Sequence, residues 1–510
     1  MNGRSPDKRI PVFPIALLFS AVLFLFVSKS SPLYPLNDWV DVNIYCTIGR
    51  GLFDGLVPYR DLFDQKGPYV YLIYGLFSSM TPRSFFGVYL LETLSFAAFL
   101  TVSYHTLTLF LSRRASIVSM LALGGLVAVS FSIAHGGSLE QILLPVFGYG
   151  IFSAARYFRL RFPEVPRSSV VFANGLLAGV LLLSKFTMLG FYFAWMATLA
   201  ILLVCKREYL ASLRACGTFL GGMLLACLPW VVYFAANGAL GEAYHYYFYI
   251  NLFSGYSMIE PPILPNMLSG VLRAVLAGAW RNFGYSVPIL IGLVYVTLQK
   301  RTAVPTAAKL GLWAAILMTA FTAFMSGFGF RYYFIPLAAF AVLGFPAIAV
   351  LTERLADVLH LRIARVPTAA VCAVLTVGFV LIAAVNCNKD GRRGMKREET
   401  PQFAFAEHME RVKTDDTLTL FCRSFPDSGF YFAADVTPEC RFFTSTNVPL
   451  PEAGEGQIAY IEAKRPEFIV LRGDYRDPPA EGYQKIDEIE FYYEGDDFIY
   501  QLYQRTGAEK

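Results

Sequence analysis

Between residues 38 and 66 the chain sets five aspartates, Asp38, Asp41, Asp54, Asp61 and Asp64, among Arg50, Arg60 and Lys66. The densest part, PYRDLFDQKGPYVY from Pro58 to Tyr71, packs Arg60, Asp61, Asp64 and Lys66 into seven residues between two hydrophobic runs. As a solvated loop it would hold neutralising salt bridges of about 0–1 kcal/mol each. The interleaved Trp39, Tyr45, Phe53, Tyr59, Phe63, Tyr69 and Tyr71 argue instead for a segment lying against a membrane or packed on helices. Charge held at such a boundary usually has a partner and often a role. Further candidates stand at the ends of apolar runs: His135 and Glu140 in HGGSLEQILLP, Lys185 in LLLSKFTMLGFYF, and Arg331, Tyr332 and Tyr333 in GFGFRYYFIPLAAF.

The elements that must position these residues are transmembrane. Of 510 residues, 55% are hydrophobic and only 16% charged, against roughly a quarter charged in soluble chains. Runs long enough to cross a core of about 30 Å recur up to residue 386. Lysine and arginine cluster at Arg4 to Arg9, Arg113 and Arg114, Arg156 to Arg167, Lys206 to Arg214, Lys300 to Lys309 and Arg354 to Arg365. Cationic loops stay on the cytoplasmic side, so these clusters must share one face. That requires spans over 11–28, 85–111, 115–133, 140–156, 169–185, 189–205, 215–236, 284–299, 307–326, 332–352 and 367–386, with the N-terminus inside and the tail outside. The first run is read as an uncleaved anchor, since no convincing cleavage site follows it.

PYVYLIYGLFSSM, Pro68 to Met80, is too short to span and reads as an interfacial helix on the outer face. Residues 29–84 then form one large external loop. From residue 387 the chain turns regularly charged, with β-prone runs TLTLFC and EFIVLRG, and reads as an extracytoplasmic soluble α/β domain over 387–510. Cys422 and Cys440 in that domain either pair or stand as two free thiols. The net charge of +5 is too small and dispersed to indicate nucleic acid.

The order acidic residue, Tyr45, GRGLFDGLVPY, then Lys66 and Pro68 resembles the first periplasmic loop of the GT-C glycosyltransferases, especially the protein O-mannosyltransferase and aminoarabinose transferase branch, glycosyltransferase family 39-like. Asp41 matches the family's catalytic aspartate and Lys66 its lysine at the lipid phosphate; Val42 departs from the pattern, since Glu is common there. HGGSLEQILLP resembles an acidic second-loop motif with Glu140 as its functional residue, and the tail phrase KRPEFIVLRG is similar to the domain that ends such proteins.

The resemblance implies an α-helical polytopic GT-C fold of about eleven spans over residues 1–386. It also implies inverting transfer of a sugar from a polyprenyl-phosphate donor to an acceptor hydroxyl of a glycan, lipid or protein. The setting would be the outer face of a bacterial cytoplasmic membrane, in cell-envelope glycan synthesis. Polyprenyl phosphate, with a second pKa of about 6, leaves without a general acid, so one carboxylate suffices, unlike the pair needed in glycoside hydrolysis. Asp41 would be that base, with Glu140 a second catalytic candidate. Lys66, Arg60, Lys185, Arg331 and Tyr332 would hold the phosphate. Asp38, Tyr45, Tyr59, Asp61, Asp64 and His135 are further candidates.

The residues assign no cofactor. A divalent cation stays open, because His245 in EAYHYYFYINLF could join Glu140 or Asp41 as a ligand, although a histidine among six aromatic residues is more often packed at an interface. Glu92, in YLLETLSF, is ionisable within an expected span and either marks a functional site or lies wet near its outer end. A lipid-linked oligosaccharide transporter would distribute charge through its spans, whereas most spans here are clean. A polymerase or ligase of surface glycans shares the outer-face location. A structural scaffold gives no reason for the charged loop.

Overall fold

The computed structural model describes residues 11–133, 135–253, 263–360, 366–388, 392–423, 425–444, 450–493 and 496–506. The expected cationic cluster Arg4 to Arg9, and part of that from Arg354 to Arg365, lie outside them. In lipid a backbone must satisfy its own polar groups, so the apolar runs become helices: α1 (Val12–Val27), α2 (Val40–Phe53), α3 (Pro68–Ser79), α4 (Phe86–Leu107), α5 (Arg113–Ala128), α6 (Leu139–Ile142), α7 (Leu144–Leu160), α8 (Ser168–Lys185), α9 (Gly190–Cys205) and α10 (Tyr209–Ala236), with the shorter helices α2, α3 and α6 lying between the runs. Further helices cover Ile263–Arg281, Phe283–Leu298, Thr306–Phe324, the mixed 3-10 and α segment Arg331–Val358, and Thr368–Asn386.

Among the described residues seven helices are long and apolar enough to cross a membrane, and three shorter apolar ones accompany them. Leu213, Leu220, Leu224 and Leu228 recur along one side of α10 and are all more than half exposed, as lipid-facing residues must be. This is a multi-pass membrane protein. Without a hydrophobic drive inside lipid, helices associate through small residues that admit close approach. Gly175 and Gly179 of α8 do this against α10: a methyl group added at Gly175 would lie 2.0 Å from the Phe219 carbonyl oxygen.

Each expected span overlaps a helix, with two departures. The span expected over 140–156 is divided, its first turn forming α6 before α7 begins. The loop expected between the seventh and eighth spans contains the 19-residue apolar helix Ile263–Arg281, none of which is buried. Asn266, Ser269 and Arg273 interrupt its apolar pattern, and at 1.3 its mean hydropathy is the lowest of the seven. The short run after Lys66 is helical as expected. α3 has 12 residues, about 18 Å of helix, which is too short to cross.

The C-terminal sheet has strands β1 (Leu420–Arg423), β2 (Phe468–Arg472), β3 (Tyr483–Tyr493) and β4 (Asp496–Arg505) in the order β1-β2-β4-β3. β1 runs parallel to β2, and the other pairs are antiparallel. β2 is apolar from Phe468 to Leu471 because both its faces are covered there. Alternation sends Phe468 and Val470 into the main core, and Ile469 and Leu471 into a smaller core with Phe421, Cys440 and Ile461. Cys422, opposite Val470, lies on the first of these faces and Cys440 on the second, so the two stand as separate thiols.

Candidate functional site

Lys66 and Lys185, separated by more than a hundred residues, are joined through their neighbours. α8 leaves helical geometry at Leu183 (φ −99°, ψ 20°), which frees the Ser184 carbonyl to accept the Gly67 N–H at 2.9 Å. Gly67 is required by close approach, since a Cβ there would sit 2.1 Å from the Leu183 carbonyl oxygen. The Lys66 carbonyl is clamped by two buried phenols, accepting from Tyr59 at 2.6 Å and from Tyr71 at 2.9 Å. Tyr71 also reaches Asp64 at 3.0 Å. Tyr59 therefore acts by fixing the backbone of the lysine.

The Lys185 ammonium donates to Glu140 at 2.5 Å and sits 3.8 Å above the Tyr333 ring, with Tyr332 at 5.5 Å. It also lies within the fields of Lys66 and Asp41. Asp41 occupies the first turn of α2, half-buried, where the helix N-terminus favours a carboxylate. One turn on, Tyr45 is buried; burial first, then the negative charges of Asp41, Asp64 and Glu140, hold its phenol well above the ordinary range. Tyr45 thus marks the middle of the cluster and stays protonated, able to donate a hydrogen bond.

Glu140 is delivered by a loop of unusual backbone. His135, Gly136 and Gly137 have φ of 71°, 80° and 75°, a left-handed run that glycine tolerates and that explains the HGG sequence. Ser138 then caps α6 by accepting the Gln141 N–H. His135 stacks on Trp39, which meets Tyr332 edge-on at 5.4 Å. Burial, then Lys29 and Arg331, push the His135 imidazole well below its usual range, so it is neutral. The Arg331 carbonyl accepts from Ser132, and its guanidinium lies 5.7 Å from the Phe131 ring.

The structure thus gathers Asp41, Tyr45, Asp64, Lys66, Glu140, Lys185 and Tyr332, with His135 and Arg331 beside them. Other candidates are engaged elsewhere. Arg60 pairs with Asp61 at 2.8 Å and donates to the Asn237 carbonyl, while Asp61 also accepts the Val57 N–H. Asp38 is buried between Lys29, at 3.4 Å, and Arg392. His245 lies in a π-helical turn and stacks on Tyr249. Among the described residues no three His, Cys, Asp or Glu side chains converge as metal ligands do. Glu92 is fully buried, so it is not a wet residue at a helix end. The Arg392 partner of Asp38 was invisible in the sequence, because nothing local links residues 38 and 392.

No family model matches the sequence, and no curated relative matches it. The structure is similar to the crystal structure of ArnT from Cupriavidus metallidurans bound to undecaprenyl phosphate, with a TM-score of 0.63 at 15% identity over 96% of this chain and 98% of that one. The apo state of the same protein gives 0.62 at 13% identity, with the same coverage. The apo oligosaccharyltransferase of Archaeoglobus fulgidus gives 0.50 at 15% identity over 92% of this chain and 70% of that one. The shared architecture is the GT-C fold, a helical membrane bundle followed by a small C-terminal sheet domain.

Proposed function

We propose that the chain is an inverting glycosyltransferase that moves a sugar from a polyprenyl-phosphate donor to an acceptor hydroxyl at the outer face of a bacterial cytoplasmic membrane, in cell-envelope glycan synthesis. One observation supports the reading: the Gly67 N–H bonds the Ser184 carbonyl, so the backbones that carry Lys66 and Lys185 meet, and Lys185 feels the charge of Asp41. The fold it shares with a protein crystallised with undecaprenyl phosphate supports the donor class.

In this reading Asp41 takes the proton of the acceptor hydroxyl as the acceptor oxygen bonds to the anomeric carbon. The bond from that carbon to the phosphate oxygen breaks on the opposite side, and its electron pair leaves with the phosphate. Lys66, Lys185 and Arg331 stabilise the charge that grows there. Glu140, bonded to Lys185, fixes the ammonium rather than serving as a second base. Arg60, already satisfied by Asp61 and Asn237, lies outside the phosphate site.

Membranes carrying wild-type or Asp41→Asn protein, given labelled polyprenyl-phosphate sugars and native envelope acceptors, test the reading. The variant is expected to insert normally and to lose transfer by about 10²- to 10⁴-fold. Full transfer by the variant removes Asp41 from the role of base. Absence of transfer by the wild type with every donor favours the transporter or ligase classes.

A further inference from the structure

Glu92 is a fully buried acidic residue to which the mechanism above gives no task. It lies within α4, six residues from its start, with no exposure to solvent. A carboxylate inside a membrane helix is costly and is retained where it has partners. Its partners are all donors. The Ser28 hydroxyl reaches Oε2 at 2.5 Å, while the Gly137 N–H and the Gln141 amide reach Oε1 at 2.5 Å and 3.0 Å. Ser28 Oγ already accepts the Ser30 N–H, which leaves its own proton for Glu92.

Two of those donors flank Glu140. Gly137 ends the left-handed run that opens the loop, and Gln141 follows Glu140 directly in α6. His135 is the one non-glycine member of that run, and a left-handed non-glycine residue persists only where surrounding structure over-determines it. Tyr74 adds a hydrogen bond to the Gly137 carbonyl at 2.6 Å, and the Lys29 N–H binds the His135 carbonyl at 2.8 Å. Of these anchors, Glu92 alone grips the loop on both sides of Glu140.

We propose that Glu92 is a positioning residue of this site: by binding Gly137 and Gln141 it holds Glu140 against Lys185, and it acts on transfer only through that pair. The inference rests on the reading above, in which Glu140 fixes the phosphate-binding Lys185. A glutamine at position 92 can preserve the arrangement, its oxygen accepting from Gly137 and Gln141 and its amide donating to Ser28 Oγ. A leucine cannot.

The test compares purified full-length wild type, Glu92→Leu, Glu92→Gln, Glu140→Gln and the double variant Glu92→Leu/Glu140→Gln. It reads kcat, donor KM, thermal melting, and amide exchange over residues 135–142. Glu92→Leu is expected to lower kcat about 10²-fold, as a misplaced group does, and to raise exchange over 135–142 in a protein that still melts cooperatively. Glu92→Gln is expected to restore both within about fivefold. The double variant should be no slower than Glu140→Gln alone, because a residue acting through Glu140 has nothing left to position.

Multiplying losses in the double variant, or unchanged exchange in Glu92→Leu, overturn the inference while leaving the proposed function in place. A Glu140→Gln protein as fast as wild type overturns the role given to Glu140, and this inference with it. If the wild type transfers no sugar, the function falls; exchange that rises in Glu92→Leu and is restored in Glu92→Gln then still supports Glu92 as the anchor of the loop.

Discussion

At the scale of single residues, the site depends on a glycine as much as on its charges. Gly67 lets the Lys66 backbone lie on the Leu183 to Ser184 peptide, and no rotamer change can relieve a Cβ placed 2.1 Å from a carbonyl oxygen. Overpacking of this kind costs about 1–3 kcal/mol when the structure yields, and here yielding means moving Lys66 away from Lys185. Gly67→Ala is therefore expected to weaken polyprenyl-phosphate binding by roughly 5- to 150-fold, while Gly217→Ala, with open space around it, leaves binding unchanged. Titration of both variants with a polyprenyl phosphate checks this; equal affinity would show that the lysines do not need that docking. The charged stretch around Arg60 was legible as a stretch and ambiguous residue by residue. Lys66 and Arg60 look alike in the sequence, and they differ because Asp61 stands next to Arg60, whereas Lys66 is aimed by two phenols and a glycine contact from α8. The contact with α8 comes from more than a hundred residues away and leaves no local pattern.

At the scale of elements, α2 has two working faces. Asp41 and Tyr45 point into the site, while Thr47, Arg50 and Asp54 meet the C-terminal domain at Asp427, Asp435 and Thr437. The helix pattern of residues 40–53 lay hidden inside what reads as a long loop, because its polar positions serve these two surfaces. The three contacts are unequal. The Arg50 to Asp435 pair is partly exposed and worth about 0–1 kcal/mol. Thr47 donates to a carboxylate that is fully buried, where losing a partner costs about 1–3 kcal/mol or more. Burial pushes the Asp427 carboxyl up from 3.8 to about 6, against the lowering effect of bonds from Gly429 and Thr47. The folded protein thus holds this proton more tightly than the unfolded chain. The stabilisation is complete below about pH 4 and is lost as the pH rises through about 6. Asp427→Asn, which can still bond Thr47 and Gly429, is expected to flatten melting temperature against pH over that window and to be the more stable protein at pH 7. Parallel slopes for wild type and variant between pH 4 and 7 would show that Asp427 does not titrate there.

Across the whole molecule, the membrane bundle and the sheet domain meet around buried charge. Asp38 is 3% exposed and faces Lys29 at the end of α1 and Arg392 at the start of the tail, both as deeply buried. Arg392 also lies 5.0 Å from the Phe491 ring of β3. One carboxylate therefore ties the first helix, the first loop and the sheet domain together. Replacing a buried ion pair by apolar groups is often harmless, whereas removing one partner leaves an uncompensated charge and costs about 3–5 kcal/mol. Asp38→Asn takes away an anion that both cations face, so it should lower the melting temperature and open residues 392–400 to protease. Asp38→Asn combined with Arg392→Met should recover much of that loss, because the double variant buries one cation fewer. Additive losses in that cycle would mean that the two residues act independently, and that other contacts hold the domain on the bundle.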